Sequence, residues 1–286
     1  MDIARTKIIA CATVIEEMLP LIPQGMAYEV LDFGLHLSPP NLREKLQIAV
    51  DASCPHYDTL LLGYGLCSMA VIGLKANGCR LVIPRTDDCI GIFLGSQEAY
   101  SEQVRKEAGT YYLTKGWIEV ADTPFDEYER LVQQYGVERA DRIMSVMLKN
   151  YKRLVYIDTG HQDNARYVEI ARRTAEKFNL RFEEVHGSNA LIVKMLNGQW
   201  DKDFLVVEAG RTISYLDFKL VQPKIEASSV PAANLIQKSL TRILFVVSRK
   251  SKPAPSPLQT FRRWRRDDTP SSRDHPVPAD WQAHPG

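Results

Sequence analysis

No apolar run in this chain approaches the ~20 residues that a membrane-spanning helix needs, and no sign of charge dominates. Thirty-six basic residues stand against 35 acidic ones, a formal net charge of +1. That balance removes any global electrostatic argument for nucleic acid or a membrane surface as partner. Cysteine is missing from residue 90 onward, and no C-x-x-C pair occurs anywhere. The N-terminal run has the look of a secretory leader, but Glu16 and Glu17 interrupt it, and it reads better as a strand. A cytoplasmic address is the resulting expectation. What is present is ordinary for a globular protein: 286 residues, 45% hydrophobic and 25% charged, enough to bury a core of one large or two smaller α/β units.

The five cysteines (Cys11, Cys54, Cys67, Cys79 and Cys89) all fall in the first 89 residues. An odd number in an expected cytoplasmic chain argues against a disulfide framework. Cys11, Cys67 and Cys89 each follow an apolar, strand-like run: Lys7–Ala10, Thr59–Leu62 and Arg80–Ile83. His36 holds the same place after Tyr28–Phe33. In a parallel sheet the C-terminal strand ends share one edge, where open α/β folds place ligands. Three thiols and an imidazole would then converge, in number and type the donor set for zinc, iron or an iron–sulfur cluster. Cys54 and Cys79 precede strands and fall at the opposite edge. Buried cysteine as a small hydrophobe is the competing reading for all five.

Helical patterns separate these strands: Val14–Leu21, Asn41–Ala52 and Cys67–Lys75. The alternation predicts a doubly wound parallel sheet over residues 1–96. Residues 97–150 read as a helical and aromatic connector, with Thr110–Trp117 extended. A second alternation over 151–221 predicts strands at Arg153–Ile157, Arg181–Val185 and Phe204–Val207 with helices between them. The expected fold is therefore α/β, with two Rossmann-like lobes of parallel sheets and helical crossovers facing each other across a cleft. Residues 222–286 are expected to form an extension and a disordered tail. From Arg249 onward they hold seven of the sixteen prolines and the basic cluster Arg262–Arg266, a composition that reads as solvated chain.

Chemistry is expected at four further positions. Placing Cys67 at a helix start would lower its pKa through free amides and the macrodipole. Asp87 and Asp88 before Cys89 would raise that thiol's pKa unless a cation is present, which favours a metal over a free nucleophile. Arg85 is a candidate anion or cofactor contact. Asp158-Thr159-Gly160-His161 leads from a strand into a helix, a setting in which Thr159 and Gly160 could hold an anionic small molecule and His161 could act as acid or base. Paired thiols working as acid and base beside a carboxylate would need one from each lobe, and the second half has none.

Five strings occur in order: Leu35-His36, Tyr64–Cys67 (YGLC), Pro84–Ile90 (PRTDDCI), Leu94–Ser96 (LGS) and Tyr111–Trp117 (YYLTKGW). As a set they resemble the family called domain of unknown function 1638 (DUF1638) over roughly residues 5–220. The resemblance implies a setting in anaerobic one-carbon metabolism, near corrinoid-dependent methyltransferases, with a corrinoid protein or methyltransferase as partner. It implies no settled activity. His36, Cys67 and Cys89 lie inside the strings. The expected function is a metal- or metallocluster-binding protein accessory to methyl transfer. The alternatives are a metal-independent cysteine enzyme acting on a small carboxylate, and a non-catalytic small-molecule binding module.

Overall fold

The computed structural model describes residues 1–121 and 123–219. The expected tail at 222–286, with its basic cluster and the strand-like run 243–247, lies outside the described residues.

Two sheets are present. The first has the order β2-β1-β3-β4-β8, built from β1 (Thr6–Cys11), β2 (Ala27–Leu31), β3 (Thr59–Gly63), β4 (Arg80–Pro84) and β8 (Phe204–Val207). β1 to β4 are parallel. Their helices are α1 (Ala12–Met18) and α2 (Pro39–Ser53), with α3 (Cys89–Phe93) and α4 (Gln97–Lys106) following β4. β3 is buried at every position, because Leu60, Leu61 and Leu62 face helices on one side or the other of the sheet. Each contributes roughly 1.5–3 kcal/mol by burial. The second sheet is parallel with the order β5-β6-β7: β5 (Thr110–Leu113), β6 (Arg153–Asp158) and β7 (Arg181–His186). Around it lie α5 (Lys115–Val120), α6 (Pro124–Tyr135), α7 (Val137–Leu148) and α8 (Asn164–Lys177), whereas α9 (Ala190–Leu196) packs against β4 of the first sheet, and α10 (Tyr215–Lys219) closes the described chain.

The α/β class and parallel sheets agree with the sequence pattern. Four particulars differ. Thr110–Trp117 is not extended throughout: it is strand β5, then Thr114 caps the start of α5 through its hydroxyl. The connector thus supplies an edge strand of the second sheet. Phe204–Val207 leaves the second lobe and adds to β4 antiparallel, a placement that its apolar run could not specify. Residues of both sheets also share one continuous apolar core. At the junction Ser188 N donates to Phe93 O at 2.9 Å, and a Cβ on Gly187 would stand 2.7 Å from that oxygen.

The fourth difference concerns Cys67–Lys75, which is not a helix. Cys67, Ser68 and Met69 have φ of 42, 61 and 70°, three successive non-glycine residues in the left-handed region. Such residues cost roughly 1–2 kcal/mol each and rarely occur in series. Hydrogen bonds to the neighbouring loop hold the turn: Leu66 N donates to Thr86 O at 2.8 Å and Cys67 N to Asp87 O at 3.0 Å.

Candidate functional site

Cys11, Cys67 and Cys89 come together at the C-terminal edge of the first sheet. Cys11 ends β1 and is the N-cap residue of α1, with its Sγ 3.1 Å from Thr13 Oγ1. Cys67 is carried by the left-handed turn after β3. Cys89 opens α3, whose N-cap Asp88 accepts from Ile90 N. The turn and the loop before α3 pack closely: a Cβ on Gly65 would stand 2.5 Å from Thr86 O and 2.9 Å from Asp88 N. All three thiols are buried.

Burial raises the pKa of each thiol, and Cys11 raises the other two further. Cys67 is pushed well above the ordinary range by burial, then by Cys11 and Asp88. Cys89 is pushed up by burial, then by Cys11, Asp88 and Cys67. Cys11 is raised by burial, with the Thr13 hydroxyl opposing. The depression expected for Cys67 from a helix start is overturned, since the helix that would supply the amides is absent. Burial also lifts the Asp88 carboxyl, to about 6.

Two buried polar groups at the cluster lack partners. The Tyr64 hydroxyl is fully buried without a hydrogen bond, and its pKa is raised by burial and then by all three thiols. The Trp117 indole N–H approaches Cys89 on the side that opposes the rise of its pKa, yet meets no acceptor in hydrogen-bond geometry. Buried polar groups in proteins are nearly always paired, so two orphans in one place call for a ligand, water or ion. His36 stands one layer further out. Its ring stacks on Tyr64 at 6.0 Å between centroids and on Phe33 at 5.3 Å. Its Nδ1 lies 3.0 Å from Phe33 O, and burial lowers its pKa. As the side chains stand, no group of three or more His, Cys, Asp or Glu among the described residues has the geometry to hold a metal ion.

Cys54 and Cys79 form a disulfide, with Cα atoms 5.0 Å apart. This corrects the expectation of no disulfide. The end of α2 and the start of β4 share the N-terminal edge of the sheet, so the two cysteines that precede strands meet there.

Arg85 is committed to the backbone. Its Nε donates to Phe204 O at 3.0 Å and its Nη1 to Asp217 O. Thr159 and Gly160 are likewise engaged within the chain: the Thr159 hydroxyl donates to Glu17 and the Gly160 amide to Asp158 Oδ1 at 2.8 Å. These donors are spent on the protein's own carboxylates.

Glu17 is the residue that sequence reasoning missed. It lies on the buried face of α1 and is 2% exposed. It accepts from Thr159 Oγ1 at 2.5 Å, His161 Nε2 at 2.6 Å and Gly116 N at 3.0 Å. Burial would raise its pKa, but the bonds from His161, Thr159 and Gly116 outweigh that and hold it below the ordinary carboxylate range. Its sequence signal was an acidic residue on the apolar side of a helical pattern.

The family model described as "Protein of unknown function (DUF1638)" matches residues 30–196, more than half of the chain. This chain belongs to the DUF1638 family. The match takes in His36, Cys67, Cys89 and His161 and leaves Cys11 and Glu17 before it. No curated protein and no solved structure matches the chain. Among the described residues no helix is long and apolar enough to cross a membrane.

Proposed function

We propose that this DUF1638 protein binds a soft metal ion, zinc or iron, or an iron–sulfur cluster, through Cys11, Cys67 and Cys89. The observation that carries the reading is the electrostatics of the three thiols. The charged neighbour that acts on both Cys67 and Cys89 is an acid, Asp88. Three buried thiols beside a carboxylate are costly to ionise alone, and a cation reverses that cost because thiolates are its ligands. The orphaned Tyr64 hydroxyl and Trp117 N–H supply polar contacts around a bound group. Binding free energy is available to draw ligands into place, so closer approach of the thiols belongs to the binding step. His36, through Nε2, is the fourth donor if Tyr64 yields.

The same facts weigh against the cysteine-enzyme alternative. A nucleophilic thiol needs a depressed pKa, and here burial drives all three upward. They also weigh against an anionic ligand at the thiols, which would meet Asp88. The setting in anaerobic one-carbon metabolism, with a corrinoid protein or methyltransferase as partner, rests on the family resemblance. Catalysis and metal delivery are both compatible with the site.

The test is metal and acid-labile sulfide content, with an absorption spectrum, on protein purified without oxygen. The reading expects near-stoichiometric zinc or iron, lost in Cys11→Ala, Cys67→Ala and Cys89→Ala but retained in Cys54→Ala. Metal-free protein after anaerobic reconstitution with zinc or iron and sulfide would overturn it.

A further inference from the structure

A second polar centre lies one helical turn from the thiols. Thr13, which touches Cys11, and Glu17 are four residues apart on the buried face of α1, about 6 Å along the axis. α5 joins the same two places: Gly116 N donates to Glu17, and the next residue, Trp117, points its indole at Cys89. Across the junction, the loop after β6 brings Thr159 and His161 onto Glu17 from 142 and 144 positions away.

The chemistry of this centre follows from who donates. Glu17 is held as a carboxylate and can only accept, so His161 Nε2 carries the N–H in the 2.6 Å contact, and in the neutral form of the ring no proton is left for Nδ1. The lone pair then resides on Nδ1, for which no bond to a described residue exists. The His161 side chain is 15% exposed, so the ring is held at its back and reachable at an edge. Two further polar atoms nearby are buried and unpartnered. One is the Tyr156 hydroxyl, which feels the Glu17 charge. The other is Asn189 Oδ1, whose Nδ2 donates to Thr159 O at 3.2 Å. An imidazole oriented by a buried carboxylate is the recurring arrangement of a general base. The unpartnered amide oxygen asks for a ligand that donates a hydrogen bond.

We propose that Glu17 and His161 form an acid–base dyad that takes a proton from a neutral O–H or S–H ligand. The proton passes from that ligand to Nδ1, the electron pair of the broken bond stays on the ligand oxygen or sulfur, and Glu17 stabilises the imidazolium. His161 is the group that touches the ligand. Glu17 is a positioning residue, and Thr159 and Gly116 fix it. The Glu17 charge behind the ring favours a neutral ligand over an anion. The inference rests on the proposed thiol site only for where the rest of the ligand is held.

The test uses the full chain labelled with 15N-histidine, with imidazole tautomers read by NMR at mildly alkaline pH and diethyl pyrocarbonate as the probe of reactivity. The expected result is His161 as the Nε2–H tautomer, carbethoxylated in the folded wild type. Glu17→Gln should erase the tautomer preference and slow the modification of His161 several-fold, with the exposed His186 unchanged. An Nδ1–H tautomer in wild type, or a His161 that reacts only on unfolding, would overturn the dyad without needing any variant to fold. Neither readout requires metal, so failure here leaves the thiol reading standing, and metal-free protein with an intact dyad would remove the thiol reading alone.

Discussion

Taking the Glu17 carboxylate out of water would by itself favour its protonated form, yet three donors reverse that preference and its pKa falls below the ordinary value of 4.5. The sign of the consequence follows. A depressed folded-state pKa means that the native state binds fewer protons than the unfolded one, so stability from Glu17 is complete above the unfolded value and is lost as pH falls through the folded one. Thermal unfolding followed against pH should show the melting temperature dropping as the protein is acidified below about 4.5. Glu17→Gln, which keeps the shape but not the charge, should flatten that part of the profile. Parallel wild-type and variant curves would show that Glu17 carries no such linkage. In the local sequence Glu17 differs from Glu16, its neighbour on the same helix, only in falling on the apolar side of the helical pattern. Its partners come from residues 116, 159 and 161.

At the scale of elements, the crossover between β3 and β4 departs furthest from its sequence pattern. Residues 67–75 carry apolar side chains at helical spacing, but the start of the segment is bonded to the loop at 86–87 and turns left-handed. Strain of this kind persists where surrounding structure over-determines it, and it clusters at functional sites. Met69 has the largest φ of the three, and it is exposed, so its side chain contributes little to offset its backbone. Met69→Gly should stabilise the protein by about 1 kcal/mol, read as a higher denaturant midpoint at unchanged slope. A lower midpoint would mean that the turn is not strained at this position.

For the whole molecule, the C-terminal part of the described chain decides how the first sheet is closed. β8 lies antiparallel on β4, and Arg85 fastens that edge by reaching two backbone carbonyls, of Phe204 and Asp217. A role for Arg85 in holding the fold, rather than a ligand, makes a separable prediction. Arg85→Ala should lower stability by roughly 1–3 kcal/mol, the cost of leaving buried carbonyls without a charged donor. Metal content, measured on the same preparation, should not change. Loss of metal at unchanged stability would return Arg85 to the binding site.

The α/β class, the positions of β1, β3, β4, β6 and β7, and the edge on which Cys11, Cys67 and Cys89 lie were all legible in the sequence. They depend on local periodicity and on the parallel sense that helical crossovers impose. The separation of Cys54 and Cys79 from the other three was legible for the same reason, although not the bond between them. Tertiary structure alone decided the rest: the sheet that β8 joins, the left-handed path of Cys67–Met69, the placing of His36 behind Tyr64 and the pairing of Glu17 with His161. Each depends on hydrogen bonds or stacking between segments far apart in the chain. The character of one residue predicts that it can make such a contact. Only the packed chain determines which partner it meets.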